Sequence, residues 1–549
     1  MQRSWMFIAL VGLVACGGDG AGPQGDGGGI DAGGTDAGGI DSGPVSSCDP
    51  PGKFGVPALT FTLPVVGTGA SAALTYADLQ QSFPDVDWQH LDRLYLPAGV
   101  YTQIMLGHLP ERTADRPLVI TNLGGQVQIG PAPTANYIWS FGGGSNWVLT
   151  GRYDEASKTG DAAFPGHACG NYAASAGAYG IVSDDAFALS APYLHMGIFV
   201  GDSSDFEIEY VEVKRSGFAG IRLLNQYDQG VRRAMANVRV HDTYIHDTDG
   251  EGFYFGWTGA PPSNLMPGLQ IYNNRLIRTG NEALQIQDLG DGSHIHHNTI
   301  IAGGLHWLDN GLGYYQDNNA QILVRSGTIE IDHNVFVDGA GTLVSFFSSP
   351  QTGDADRHVT FHDNYFANTL SLGLYLNGSS TAGSSFDFID NAFRGLEFGY
   401  APADPNATDP GVIFGRSSAM AAPIRLTGNR WEGGRRLATG ITGGDGTSGP
   451  FVASGNVNAA VPELGFAHAQ AGHHLTSWVP TVTVANPDHA MTFRVGDVVT
   501  YGGAPDLYQA TGAASGTPPP SAPALWTKLP APNDDVRVIS ADYPGLGIQ

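Results

Sequence analysis

One hydrophobic–polar pattern recurs eight times between residues 238 and 456. It reads Val238-Arg-Val240-His-Asp-Thr243, Leu269-Gln-Ile271-Tyr-Asn-Asn274, Ser293-His-Ile295-His-His-Asn298 and Ile329-Glu-Ile331-Asp-His-Asn334. It continues as Val359-Thr-Phe361-His-Asp-Asn364, Phe386-Asp-Phe388-Ile-Asp-Asn391, Ile424-Arg-Leu426-Thr-Gly-Asn429 and Phe451-Val-Ala453-Ser-Gly-Asn456. Apolar residues two apart share one face of a strand, so each phrase predicts a short strand running into a turn. Asn suits such a turn because it tolerates left-handed backbone and bonds neighbouring main chain. The phrases follow one another at 31, 24, 36, 30, 27, 38 and 27 residues, the range of solenoid coils with loops between strands. No amphipathic helix of useful length lies between them, which argues against leucine-rich or ankyrin arrays. The pattern predicts an all-β parallel β-helix.

A second strand follows each Asn turn. Gly217-Phe-Ala-Gly-Ile221-Arg222-Leu223, Asp249-Gly-Glu251-Gly-Phe253-Tyr254-Phe255 and Gly280-Asn-Glu282-Ala-Leu284-Gln285-Ile286 align. Ile221, Phe253 and Leu284 are expected in the core, and Arg222, Tyr254 and Gln285 outward, in register, on an exposed face. Lys214, His246 and Arg278 form a matching column at the strand entry, and Glu251 and Glu282 another. Residues 214–239 hold Lys214, Arg215, Arg222, Arg232, Arg233 and Arg239 against one acid, Asp228, a cationic stripe on a chain of net charge −26. That charge disfavours nucleic acid and anionic lipid as partners.

The chain opens on an apolar run after Arg3 that is too short to span a bilayer and closes on Leu13-Val14-Ala15-Cys16. This resembles the lipobox of bacterial lipoproteins, which implies cleavage before Cys16 and acylation of its thiol. Residues 17–47 contain thirteen Gly and five Asp, have almost nothing to bury, and are expected to be a disordered tether reaching roughly 30 Å. Gly17 after the Cys, by the same resemblance, favours the outer membrane, facing the cell surface or periplasm, with the lipid as the only membrane contact. Labelled fatty acid should be incorporated in cells and lost in Cys16→Ser; an unlabelled, soluble wild type would contradict this. Of the three Cys, Cys48 and Cys169 remain, an even number that in an oxidising compartment suggests a disulfide, two free thiols being the alternative.

The entry region, Leu94-Tyr-Leu-Pro-Ala-Gly-Val-Tyr101 leading to Pro117-Leu-Val-Ile-Thr-Asn-Leu-Gly-Gly-Gln-Val-Gln-Ile129, resembles the first coils of extracellular right-handed, pectate-lyase-like β-helix proteins. Residues 152–192 read as a long excursion, with regular coils from His195 to about Asn458. Phe493-Arg-Val-Gly-Asp-Val-Val-Thr-Tyr501, Leu507-Tyr-Gln-Ala510, Pro518-Pro-Pro520 and Trp526 resemble small chitin-binding-type carbohydrate modules. That resemblance implies that Tyr501, Tyr508 and Trp526 stack on sugar rings; the alternative is that they are the core of a tiny β-sandwich capping the solenoid. Asp534-Asp-Val-Arg-Val538 to Gly545-Leu-Gly resembles the closing strand of β-helix enzymes. The expected divisions are a signal peptide at 1–16, the tether at 17–47, the β-helix at 48–475, the module at 476–531 and the closing strand at 532–549.

β-Elimination of a uronic-acid polysaccharide needs a group to neutralise the C6 carboxylate, a base for the C5 proton and an acid for the leaving oxygen. The resemblance to β-helix polysaccharide lyases implies Arg, Lys, His and Tyr in those roles. Arg222 or Arg278 would hold the carboxylate, Lys214 or His246 would be the base and Tyr254 the acid, with Glu251, Glu282 and Gln285 contacting substrate. The pectate lyase and polygalacturonase signatures themselves are absent. A glycoside hydrolase would instead use two carboxylates from Asp247, Asp249, Glu251 and Glu282. A non-catalytic adhesin would present the β-face and the module to glycans. Asp247, Asp249 and Glu251 carry oxygen enough for Ca²⁺ without a full EF-hand loop. His294, His296 and His297 sit in the repeat phrase with His241, His333 and His362, and read as turn and surface residues, so no metal site is expected. The partner is a polysaccharide and the chain is expected to be a monomer.

Overall fold

The computed structural model describes residues 57–64, 70–72, 76–131, 137–151, 179–185, 195–225, 234–257, 263–306, 318–339, 341–369, 371–396, 412–415, 422–434, 436–440, 451–468, 472–478, 493–501, 506–514 and 516–548. Cys16, Cys48, Cys169, Asp228, Arg232 and Arg233 lie outside them, as do most of the 152–192 excursion and the tether.

The eight phrases stack as predicted. Arg239–His241, Gln270–Tyr272, Ser293–His296, Gly327–Asp332, Arg357–His362, Ser385–Ile389, Ile424–Thr427 and Phe451–Ser454 pair in parallel, each with the equivalent strand of the next coil. We call this sheet 1. Across the Asn turn runs sheet 2, including Val211–Lys214, Tyr244–Thr248, Arg275–Thr279, Thr299–Ile301 and Val335–Val337. Sheet 3 includes Ala219–Leu224, Glu251–Phe255, Leu284–Leu289, Ala320–Val324 and Val344–Ser348. Inward side chains at equivalent positions form ladders: Val240, Ile271, Ile295, Ile331 and Phe361 are 0 % exposed, as are Ile221, Phe253 and Leu284. The fold is an all-β right-handed parallel β-helix. The excursion is not wholly outside it, since Ile181–Asp184 pairs with Val127–Ile129 on one side and Val211–Lys214 on the other.

The Asn turn works differently from the expectation. The left-handed residue is the one before the Asn: Asp242, Asn273, His297, His333, Asp363 and Asp390 have φ between 50 and 56°, and Gly428 and Gly455 succeed them. The Asn side chain is turned inward and buried, and bonds the next coil. Asn334 donates from its backbone N–H and from Nδ2 to Asn364 Oδ1, both at 3.0 Å, and from Nδ2 to Ile295 O at 2.9 Å. Its own Oδ1 accepts from Asn298 in the same way. An amide carries donor and acceptor on one group, so an unbroken ladder from Asn274 to Asn456 satisfies corner peptides that no strand can reach.

Two further elements depart from expectation. Residues 534–548 do not form a last coil. They lie across the outside of sheet 2, where Asp534 O accepts from Arg275 Nη1 at 2.8 Å and the Ile548 N–H donates to Thr299 Oγ1 at 3.1 Å. Val536, Leu546 and Ile548 bury the outer side chains Tyr244, Ile277, Ile301 and Val335 in a second apolar cluster. The C-terminal module is a four-stranded sheet, His473–Ser477, Asp497–Tyr501, Asp506–Ala510 and Trp526–Lys528. It touches the side of the solenoid rather than its end, with Ser477 N–H donating to Leu305 O at 2.7 Å and His474 N–H to Asp338 Oδ2 at 3.3 Å.

Candidate functional site

The predicted constellation splits between two faces. Arg222, Tyr254 and Gln285 are opposed in register on the outer surface of sheet 3. Lys214 and His246 are opposed on sheet 2, but His246 faces Ile277, so Arg278 falls one position later than expected. Arg278 shares instead the left-handed corner position of Arg215 and Asp247, all with φ of 53–56°.

The sheet 2 set is structural. Arg278 is 2 % exposed and donates bidentately to Asp247 at 2.6 and 3.1 Å and to Asp534 at 2.8 and 2.7 Å. His246 is buried between Asp247 at 2.6 Å and Glu212 at 3.2 Å. Burial alone would lower its pKa, but those two hydrogen bonds outweigh it and raise it. Lys214 lies 2.9 Å from Glu212. Residues 534–548 also lie against this sheet, with Asp534 meeting both Arg275 and Arg278. Of the cationic stripe, Arg215 pairs with Asp184 and Arg239 with Glu207, each at 2.5 Å, while Arg232 and Arg233 lie outside the described residues. The spacing of Asp247, Asp249 and Glu251 does not make a Ca²⁺ cradle either. Asp247 is committed to Arg278 and His246, Asp249 faces His306 at 3.1 Å, and Glu251 turns to sheet 3.

Sheet 3 keeps a polar cluster. Its corner is built on glycine, because a Cβ on Gly250 would lie 2.0 Å from Phe218 O and one on Gly280 1.7 Å from Asp249 O. That close stacking carries Glu251 and Glu282 on adjacent coils, about 4.8 Å apart along the stack. Both are closed off, 2 % and 1 % exposed. Asn281 Nδ2 lies 3.4 Å from Glu251 Oε1, Asn318 Nδ2 3.3 Å from Glu282 Oε1, and Ser345 Oγ donates to Asn318 Oδ1 at 2.5 Å. Arg222 lies 4.0 Å over the Tyr254 ring and donates from Nη1 to Leu223 O, Tyr254 O and Gly256 O. Glu251 Oε2, Asn281 Oδ1 and Gln285 Oε1 have no hydrogen-bond donor among the described residues. Burial first, then the Glu282 carboxylate, push the Glu251 carboxyl up to about 8, against smaller opposing effects of Asn281 and Arg222. The expected outward exposure of Arg222, Tyr254 and Gln285 is corrected: they are 6 %, 8 % and 5 % exposed. Alternation shows which way a side chain points and not what lies over it.

Asn281, Asn318 and Ser345 were not anticipated. Asn318 falls one coil beyond Glu282 in the same column, a signal hidden by the length of sequence between them.

In the module, Tyr508 and Trp526 are 8 % and 3 % exposed and pack with Phe493, Val499, Ala510 and Ala514. They form its core, so the sugar platform expected of them is not there; Tyr501 is half-buried against Trp478, ring centroids 5.6 Å apart.

The histidines of the phrase are more organised than turn residues need to be. His241 is held by Asp242 at 2.6 Å and Glu207 at 2.8 Å, which overcome burial and raise it to about 9. Burial, then neighbouring imidazoles, lowers His296 to about 3 and His297 to about 4.

These protonations fix a pH dependence of stability. Native Glu251 (about 8) and His241 (about 9) keep protons that the unfolded chain releases near 4.5 and 6.5. The Glu251 contribution is therefore complete below about pH 4.5 and that of His241 below about 6.5, and both are lost as pH rises to 9. On the acid side Arg116 holds Asp92 at about 2, so its contribution fades as pH falls below 3.8. His296 and His297 act in the opposite sense, because below about 6.5 the unfolded chain binds protons that these native imidazoles do not. Urea unfolding should therefore show stability rising from about pH 4.5 to 6.5 and declining from there to pH 9; a rise above 6.5 would refute the Glu251 and His241 assignments.

Residues 188–352 match a family model described as a right handed beta helix region. No curated protein matches the sequence. Among solved structures, the A-module of mannuronan C-5 epimerase AlgE4 from Azotobacter vinelandii is 14 % identical, with 67 % of this chain and 86 % of that one covered and a TM-score of 0.38. Pectate lyase Pel9A is 12 % identical over 57 % and 70 %, TM-score 0.34. The GH136 lacto-N-biosidase from Eubacterium ramulus is 11 % identical over 68 % and 63 %, TM-score 0.39. Likeness of this degree concerns the architecture alone. What the family model and the coil geometry establish together is the fold, a right-handed parallel β-helix.

Proposed function

We propose that this chain is a carbohydrate-active enzyme that works on a polysaccharide with Glu251 and Glu282 as its acid–base pair, and that the reaction is glycosidic hydrolysis. The observation that carries the reading is the pair itself: two carboxyl groups on adjacent coils of a rigid sheet, sequestered from water, with Glu251 Oε2 lacking any donor among the described residues. Retaining glycosidases place their two carboxyl groups about 5–5.5 Å apart, one protonated to serve the leaving oxygen and one ionised to attack or stabilise the sugar cation. The coil repeat of about 4.8 Å supports that spacing, and a Glu251 carboxyl that keeps its proton to about pH 8 supports the acid role. Half-buried Phe218, 5.2 Å from the Tyr254 ring, and Phe347, 6.1 Å from the Tyr375 ring, lie on the same sheet and offer apolar surface to sugar faces.

β-Elimination is the second reading, favoured by one observation: Arg222 and the Tyr254 ring remain beside Glu251 on this face, the cation and phenol such a reaction uses. Its base would then be a carboxylate of the pair, since Lys214 and His246 belong to sheet 2. The lipid anchor at Cys16, and with it an outer-membrane location, remain part of the proposal. Incubation with pectin, alginate, glycosaminoglycans, chitin and bacterial exopolysaccharides tests it: a hydrolase makes new reducing ends, a lyase also makes an unsaturated sugar absorbing in the near ultraviolet, and an adhesin makes neither.

A further inference from the structure

The outer surface of sheet 1 carries a set of imidazoles that glycan chemistry on sheet 3 does not use. We propose that it binds a transition-metal dication of zinc-like preference, with Asp332 as the shared ligand between His333 and His362 on one side and His294 and Glu330 on the other. Both triplets, Asp332–His333–His362 and His294–Glu330–Asp332, bring one ligand atom from each residue within 4.8 Å of the others.

The solenoid makes the arrangement. His294 is opposed by Glu330, and Asp332 by His362, on three consecutive coils. The left-handed turn residue His333, φ 50°, follows Asp332 directly. His294 Nε2 meets Asp332 Oδ1, and His333 Nδ1 lies 2.7 Å from Asp332 Oδ2. His362 Nε2 is 2.8 Å from Glu330 Oε1, and His294 Nε2 3.9 Å from Glu330 Oε2. Metal–ligand bonds of about 2.0–2.2 Å put neighbouring ligand atoms of a tetrahedral site roughly 3.3 Å apart. The contacts at 2.7–3.9 Å bracket that value, so the ion would replace protons now shared between ring and carboxylate and release them.

Neighbouring rings fix the planes of the ligands. His297 stacks on His333 at 4.9 Å and 2°, and the His294 ring lies 4.0 Å from His296, which stacks on Tyr272 at 5.0 Å. Each triplet mixes imidazole and carboxylate donors and leaves a fourth tetrahedral position open, which suits zinc, nickel or copper, whereas calcium and magnesium prefer oxygen throughout. The His294, His333 and His362 side chains are 21 %, 30 % and 22 % exposed, so an ion reaches them without opening the coils. A third triplet, Glu207–Glu209–His241, is sealed, its side chains at most 4 % exposed.

The test is calorimetric titration of zinc chloride into the chelator-stripped full chain. Saturable binding is expected, with a heat that varies with buffer as protons are released. Asp332→Asn, nearly isosteric, and His362→Gln should each weaken binding at least about tenfold, the scale of losing a ligand or its close support. His241→Ala should leave it unchanged. Unchanged circular dichroism and metal-free melting of the Asp332 and His362 variants would tie the loss to ligation. No saturable uptake by the wild type, or full affinity in both variants, would overturn the site, as would a loss confined to His241→Ala.

Discussion

Ile295→Asp should prevent the chain from folding stably near neutral pH. Ile295 is 0 % exposed and opposed by Ile271 on one coil and Ile331 on the next. An aspartate there has no partner in an apolar ladder, and burying it unpaired costs on the order of several kcal/mol. That is comparable with the whole net stability of many domains, about 5–15 kcal/mol. The neighbouring coils add to the effect, because each relies on the strand above and below for its hydrogen bonds. Thermal melting with circular dichroism checks this; a variant that melts like wild type would mean that Ile295 faces outward and that the register of sheet 1 is wrong.

Glu251→Gln and Glu282→Gln should each lower turnover at least about a hundredfold on whichever glycan is cleaved, the usual scale for an acid–base group. The amide keeps size and polarity, so the fold should survive. The stability of the Glu251 variant relative to wild type should rise between about pH 4.5 and 8, because the amide does not titrate. This second readout reports the buried, protonated state of the carboxyl, and turnover decides whether it reacts. Full turnover in both variants would remove the pair from the mechanism.

The coil repeat was legible because it depends on local rules. Two apolar residues two apart name the strand, and Asn marks the corner whatever the loop length between coils. The register of Arg222, Tyr254 and Gln285 followed from the same alternation. What alternation does not carry is the covering of each outer face. Residues 534–548 return across sheet 2 from far along the chain, Asp534 lying 256 positions beyond Arg278, so Arg278 read as a free cation when Asp534 neutralises it. The one-residue slip of Arg278 has a similar origin, since three successive corners were aligned by charge type and not by the left-handed residue that ends each strand. Trp526 and Tyr508 illustrate the limit from the other side: a module this small has few other residues to bury. The histidine phrases were read one at a time, as turns. Their meaning appears only when three coils are stacked and Asp332 falls among His294, His333 and His362.

Product analysis of wild-type chain and Glu251→Gln side by side on the glycan panel decides whether Glu251 takes part in hydrolysis. New reducing ends are expected from at least one polysaccharide with the wild type, without near-ultraviolet absorbance, and their near disappearance with the variant. Release of no product from any of these glycans, or equal release by both proteins, would contradict that expectation.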